Sequence, residues 1–253
     1  MDIWDSTRLF GGMSNPIYAI PDIHGQRAML EEALARIDHD GGRDAKVVFL
    51  GDYVDRGPDS RGVIELLMEG QAAGRNWTIL RGNHDQLFLD FLDTGKIHNA
   101  RFSNPDYTWL HERLGGAATL ASYGVLASEA RPNHAEATAA VPDAHRAWLS
   151  GLPYYLELGE LLFVHAGIIP DLPLGHQPHE DLIWIRGTFL DHPAPHPWLV
   201  VHGHTALKRP QHFGNRIDLD GGAGWGRPLC PAVFEGRNCW LLTASGRVAL
   251  PAP

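Results

Sequence analysis

Three short motifs carry the residues best suited to chemistry: Asp22-Ile23-His24-Gly25, Gly51-Asp52-Tyr53-Val54-Asp55-Arg56-Gly57 and Arg81-Gly82-Asn83-His84-Asp85. Two later histidines extend the set, His165 in Val-His-Ala-Gly and His204 in Val-His-Gly-His-Thr. Together they offer carboxylate, imidazole and amide-oxygen donors, a set that two adjacent divalent ions can share. Two ions need a bridging anionic oxygen, and Asp52 is the candidate. Asp22 and His24 alternate along what reads as an extended segment, which would put both side chains on one side. With Asp52 they can hold one ion; Asn83, His165 and His204 can complete the other. A metal pair of this kind drives in-line attack of a bridging hydroxide on phosphorus, without a phosphoenzyme. The mixed donor set suits Mn²⁺, Fe or Zn²⁺ better than Ca²⁺, which takes oxygen only.

The other motif residues have work to do beside such a centre. His84 follows Asn83 and can protonate a leaving alkoxide or phenoxide. Asp55 can hold the other ring nitrogen of His84 and fix its tautomer. The planar fork of Arg56 suits phosphate oxygens. Taken singly, each motif has a plainer reading. Asp22-x-His24 makes a capped turn, Asn83-His84 an ordinary turn, and His165 or His204 a satisfied core histidine. All five in this order, each at the end of an apolar run, are not explained that way.

The elements that must position these residues follow from periodicity. Ile17–Ile20, Lys46–Leu50 and Trp77–Leu80 read as buried strands, each ending at a motif. Between them, Gln26–Asp38 has Met29, Leu30, Ala33, Leu34 and Ile37 on one helical face, stopped by Gly41-Gly42. A second helix starts near Asp59 or Ser60 and buries Val63, Ile64, Leu67 and Met68. Strand, helix, strand, helix, strand implies a parallel sheet with covering helices, whose ligands sit beyond the carboxyl ends of the strands. Asp85–Leu152 reads as mostly helical, with Gln86–Leu92, Thr108–Tyr123 and Asp143–Leu149 as candidates and Tyr107, Trp109, Tyr123 and Trp148 as packing aromatics. From Tyr154 the pattern changes to short strands: Tyr154–Leu158, Leu161–Val164, Trp198–Val201, Arg216–Leu219, Ala232–Phe234 and Trp240–Thr243. They are expected to form a second sheet packed on the first. Residues 170–178 and 191–197 are Pro/His-rich and read as solvated loops; histidines 176, 192 and 196 within them, and His179 just past the first, are read as solvated.

Composition bounds the partners. The 253 residues are 20% charged and 44% hydrophobic, enough apolar material for a core of normal size. A net charge of −9 argues against an extended nucleic-acid partner, which needs a basic footprint. It does not exclude an anionic substrate, because bound divalent ions make a site locally positive. Cys230 and Cys239 fit neither a zinc pattern nor a disulfide framework. Met1 to Asn15 lacks the basic-then-apolar pattern of an export signal, and no stretch approaches the ~20 apolar residues of a spanning helix. A cytoplasmic protein without membrane contact is expected. Nothing in the sequence speaks to oligomeric state.

From about Ile17 to Phe234 the chain resembles the phosphoprotein phosphatase (PPP) family of calcineurin-like metallophosphoesterases, especially its bacterial and phage branch. The specific part is Gly51-Asp52-Tyr53-Val54-Asp55-Arg56-Gly57; other calcineurin-like esterases usually keep the first Asp and lack the Asp-Arg pair. The resemblance implies an α/β fold: a two-sheet β-sandwich flanked by helices in four layers, with 85–152 as a helical insertion at the rim of a single catalytic domain, 1–253. It implies a dinuclear Mn²⁺-type site, with Fe, Zn or Ni as the other possible ions. Asp22, His24 and Asp52 match the ligands of one metal; Asp52, Asn83, His165 and His204 match those of the other. His84 matches the general acid, Asp55 its partner and Arg56 a phosphate-binding arginine. Asn83 also matches a substrate contact. Arg186, in Leu182-Ile183-Trp184-Ile185-Arg186, is similar to a second phosphate arginine, and His202 to a residue behind the ligands. Pro21 stands where the family usually has Gly, and Asp85 where many members have Glu; neither is a ligand position.

Three functions compete. The leading expectation is hydrolysis of phosphomonoesters, with phosphoserine and phosphothreonine proteins or small phosphoesters as substrates. The alternative is a nucleotide phosphohydrolase on the same scaffold, cutting dinucleoside tetraphosphates symmetrically or trimming RNA 5′ ends. Symmetrical tetraphosphatases share Gly-Asn-His-Asp with this chain but usually carry Ala where it has Asp55. The third, a metal-binding regulator without catalysis, would not require His84, Asp55 and Arg56.

Overall fold

A computed structural model of the chain describes residues 16–253, so the reading of Met1 to Asn15 lies outside the described residues. β1 (Ile17–Ile20), α1 (Arg27–Gly41), β2 (Lys46–Phe49), α2 (Ser60–Ala72) and β3 (Trp77–Ile79) follow in the expected order. β1 runs parallel to β2 with Ile17 opposite Lys46, and β2 parallel to β3 with Val47 opposite Trp77. Asp59 caps α2, its side chain accepting the Gly62 N–H at 2.8 Å.

The later strands divide between two sheets. β4 (Tyr155–Leu158), β5 (Leu161–Val164), β6 (Leu199–His202), β7 (Gln211–His212) and β8 (Arg216–Asp218) form a five-stranded sheet in the order β4-β5-β6-β8-β7. β9 (Ala232–Glu235), β10 (Asn238–Thr243) and β11 (Gly246–Ala249) instead return to the first sheet, making its order β11-β10-β9-β1-β2-β3. The expectation that all strands after Tyr154 share the second sheet is corrected here. The reason is the open edge of β1: β9 pairs with it antiparallel, Ile17 opposite Phe234, and covers backbone that would otherwise stay unpaired.

Side-chain alternation then sets the layers. Ala19, Val48, Leu50 and Leu80 of the first sheet meet Leu161, Phe163, Val201 and Ile217 of the second. The opposite face of the first sheet, with Tyr18, Ile20 and Val47, packs on α1, α2 and on α3 (Asn83–Thr94), α4 (Gly116–Ser122), α5 (His134–Ala140) and α6 (Asp143–Ser150). The outer face of the second sheet, with Leu162, Val164 and Val200, packs on Leu182 of α7 (His179–Trp184) and Phe189 of α8 (Gly187–Leu190). Helix, sheet, sheet, helix is the four-layer sandwich expected. Among the described residues no helix is long and apolar enough to cross a membrane.

Two local expectations are corrected. The helix over Thr108–Tyr123 is confined to α4, and Thr108–Gly115 runs as turns. Trp109 is drawn inward, its backbone N–H to Ile97 at 2.6 Å and its carbonyl to Gly116 at 2.9 Å. Gly115 holds φ +87° where its backbone lies against Arg56, whose N–H it accepts at 3.2 Å. In residues 191–197, His196 is not solvated: it is buried and stacked on Phe189 with ring centroids 5.6 Å apart.

Candidate metal centre and acid–base pair

The motifs lie beyond the carboxyl ends of β1, β2 and β3; His165 follows β5 and His204 follows β6. Both sheets therefore contribute. The backbone that presents these groups is unusual: His24, Asp52, Asp55, Arg56 and His204 all have positive φ, between 48° and 74°. A non-glycine residue there costs about 1–3 kcal/mol and persists only where its surroundings enforce it. The segment Asp22–His24 is thus not extended at His24, contrary to expectation. It turns there because Ile23 and His24 both donate their N–H to the Asp52 carbonyl, at 3.0 and 2.8 Å. Gly82 passes so close to Asp52 that an added Cβ would overlap its carboxylate.

The structure brings the ligand atoms of Asp52, His165 and His204 within 4.8 Å of one another, and likewise those of His24, Asp52 and His84. Asp52 belongs to both groups: Oδ2 is 3.6 Å from His24 Nε2 and Oδ1 is 3.4 Å from His165 Nε2. Asn83 Oδ1 lies 2.9 Å from His165 Nε2 and 2.7 Å from His204 Nδ1. Asp22 is buried beside them, both oxygens 3.1 Å from the His204 N–H.

Proton bookkeeping says what these atoms can hold. His24 Nδ1 donates to the Val54 carbonyl and His165 Nδ1 to the Leu50 carbonyl, each at 2.8 Å. Burial keeps both imidazoles neutral, pushing His165 down to about 3. Each Nε2 is therefore a bare lone pair aimed at the Asp52 carboxylate. Among the described residues, His204 Nε2 is buried without a partner. Burial also pushes the Asp22 and Asp52 carboxyls up, Asp220 adding to the first and Asp85 to the second. Lone pairs and carboxylates converging in a dry site fit cations, and the back-side carbonyls orient the imidazoles as metal-binding histidines require.

Beside this centre sits a buried histidine–carboxylate pair, the candidate acid and its partner. His84 Nδ1 is 2.6 Å from Asp55 Oδ2, and both are buried. Asp55 also accepts Thr119 Oγ1–H at 2.6 Å and Trp109 Nε1–H at 2.8 Å. Burial lifts its pKa to about 7 while those two donors pull it down. Arg56 reaches both rings, touching His24 Nε2 with Nη1 and lying 3.1 Å from His84 Nε2 with Nη2. Arg186 joins Arg56, Asn83 and His84 in lining a cavity of about 170 Å³. The same cavity is lined by turns within 85–152, at Arg101–Ser103, Tyr107, Arg113 and Leu114, and not by its helices beyond Asn83 and His84. Two groups escaped sequence reasoning. Asp85 holds the Asp52 turn from inside a motif already singled out. Trp109 and Thr119 contact Asp55 across 54 and 64 residues, a pairing no spacing announces.

Residues 15–225 match the family model described as calcineurin-like phosphoesterase. The chain belongs to that family. This calcineurin-like phosphoesterase is 31% identical over 231 residues to serine/threonine-protein phosphatase 1 of Salmonella typhimurium, covering 87% of this chain and 92% of that one. It is 25% identical over 240 residues to an asymmetrical bis(5'-nucleosyl)-tetraphosphatase, PrpE, of Oceanobacillus iheyensis, covering 85% and 87%. The structure of a cold-active protein tyrosine phosphatase shares its fold, with a TM-score of 0.63 and 19% identity over 95% of this chain and 80% of that one. The phosphoesterase is thus a metal-dependent enzyme with relatives of both substrate kinds.

Proposed function

We propose that this phosphoesterase hydrolyses phosphomonoesters, with phosphoserine and phosphothreonine residues of cytoplasmic proteins as its natural substrates. The observation that carries this is the proximity of acid and phosphate grip: Arg56 Nη2 lies 3.1 Å from His84 Nε2, and Asp55 backs His84 at 2.6 Å. Two divalent ions, of which Mn²⁺ is our choice, would be held by Asp22, His24 and Asp52 and by Asp52, Asn83, His165 and His204, and would supply Lewis acidity at phosphorus and an acidified water. The chain's own residues do the rest. Arg56 and Arg186 grip the terminal dianionic phosphoryl group, which bidentate guanidinium geometry suits. The Asp55 carboxylate holds Nδ1–H of His84 and opposes the burial that pushes this imidazole down; once Arg56 turns from Nε2 to the phosphoryl oxygens, Nε2 takes up a proton from solvent and gives it to the departing alkoxide.

A second reading has its own support. Trp225 is 46% exposed, Arg56 lies 4.6 Å from its ring centroid, and a neighbouring cavity of about 590 Å³ is lined by Arg113 and Arg227. An exposed ring flanked by guanidinium groups suits a nucleobase with further phosphates. The test is kcat/KM on phosphoserine and phosphothreonine peptides against diadenosine tetraphosphate, at equal Mn²⁺. Peptides are expected to win. A clear win for the dinucleotide replaces the first reading with the second.

A further inference from the structure

We propose that Trp109 and Thr119 are positioning residues for proton delivery, fixing the Asp55 carboxylate in the one orientation that grips His84. The inference rests on the reading of His84 as general acid. It gives the segment between α3 and the end of α4 a part in the chemical step as well as in the rim.

Asp55 is fully buried, so water cannot satisfy its oxygens. Oδ1 accepts from Thr119 Oγ1 at 2.6 Å; Oδ2 accepts from Trp109 Nε1 at 2.8 Å and from His84 Nδ1 at 2.6 Å. Thr119 has one hydroxyl proton. Its Oγ1 already accepts the Asp55 backbone N–H at 2.7 Å, so the proton is free to point at Oδ1. The same hydroxyl therefore clamps both ends of Asp55, backbone and carboxylate. Ser60 Oγ steadies the backbone end, 3.1 Å from the Asp55 nitrogen and 3.2 Å from Thr119 Oγ1. The indole N–H is donor only, and buried at 0% exposure it must find an acceptor. Trp109 cannot swing away to find another, because Phe88 and Phe91 hold its ring at 5.8 and 4.8 Å. Three donors on two oxygens leave the carboxylate no second rotamer of equal quality. Without the two outer donors, a rotation of Asp55 would loosen the His84 contact without moving any group that touches substrate.

The packing supplies clean variants. Trp109→Phe keeps an aromatic ring against Phe88 and Phe91 and loses the N–H. Thr119→Val keeps the shape and loses the hydroxyl, and Thr119→Ser keeps the hydroxyl. Each is assayed as full-length Mn²⁺-loaded enzyme on phenyl phosphate and p-nitrophenyl phosphate, the second of which needs little protonation of its leaving group. Trp109→Phe and Thr119→Val should lower kcat on phenyl phosphate by about 10–100-fold, part of the ~10²–10⁴-fold worth of a positioned acid. On p-nitrophenyl phosphate the loss should stay below about 3-fold, with KM unchanged, and Thr119→Ser should recover most of the phenyl phosphate rate. Placed on His84→Asn, Thr119→Val should cost nothing further, since it acts through that ring. Equal losses on the two substrates, or an undiminished loss on the His84→Asn background, would overturn the inference. A His84→Asn enzyme with no leaving-group dependence would sink the acid reading and this inference with it. If His84→Asn is leaving-group-dependent and the Trp109 and Thr119 variants are not, only the inference falls.

Discussion

Asp85 Oδ2 accepts the backbone N–H of Asp52 at 3.0 Å, the lock that holds the shared carboxylate of the centre in place. The same side chain takes the N–H of Tyr53 at 2.9 Å and of Gly82 at 2.9 Å. One buried carboxylate thus ties the second motif to the third. Asp85→Ala leaves three buried donors unpaired, and each costs about 1–3 kcal/mol. Urea unfolding should show a loss of several kcal/mol, and Mn²⁺ affinity measured by calorimetry should fall with it. A variant of wild-type stability and Mn²⁺ affinity would contradict this role.

Asp52 lies between His24 and His165, 3.6 Å from one ring nitrogen and 3.4 Å from the other. Asp52→Asn should leave at least one ion unbound by elemental analysis and bring activity near background at ordinary Mn²⁺. Two ions per chain with near-normal turnover would refute the bridging assignment. His202→Ala should be milder, ~10–100-fold, because His202 stands behind the ligands, 3.2 Å from Arg216 Nη1.

Arg56→Ala and Arg186→Ala should each lose about 1.5–3 kcal/mol in kcat/KM, the range for hydrogen bonds to a charged group. Inhibition by inorganic phosphate should weaken in parallel. Unchanged phosphate inhibition in Arg186→Ala would remove Arg186 from the grip while leaving Arg56 in it.

Far from the site, Tyr18 donates to Asp40 Oδ2 at 2.6 Å, and burial with that bond pushes its pKa up to about 12. The unfolded phenol ionises near ~10. Between those values the folded chain holds a proton that the unfolded chain has lost, so the stabilisation is complete below about pH 10 and disappears as pH rises toward 12. Wild type should therefore be more stable than Tyr18→Phe by roughly 1–3 kcal/mol at pH 8, with the gap about halved at pH 11 and closed above pH 12. A gap independent of pH would mean that the hydroxyl contributes through shape alone.

The sequence disclosed those parts of the fold that obey local periodicity. Ile17–Ile20 and Leu161–Val164 are strands at the expected bounds, because an apolar run closed by Pro, Gly or His admits little else. Gln211–His212 and Gly246–Ala249 were not legible; they are short or exposed, and only their partners make them strands. Nor could the assignment of β9 and β10 to the first sheet be read, since strand pattern records burial and not neighbours. The site divides the same way. The family and its metal-dependent chemistry were legible from the motifs. Trp109 looked like a packing residue, and it is one; its second bond, to Asp55, depends on turns that helical periodicity hid.

The contact between Asp22 and His204 closes a gap of 182 residues, and those residues lie on different sheets. During synthesis, then, the first three motifs emerge long before the histidines that must join them. A chain released early, or cut after the first sheet's parallel core, carries Asp22, His24, Asp52 and Asn83 but lacks His165 and His204. Folding of this topology, dominated by contacts distant along the chain, is slow to close. Phosphatase activity should accordingly appear late, as a report that both halves of the sandwich have docked, and no nascent fragment should dephosphorylate anything on its way there.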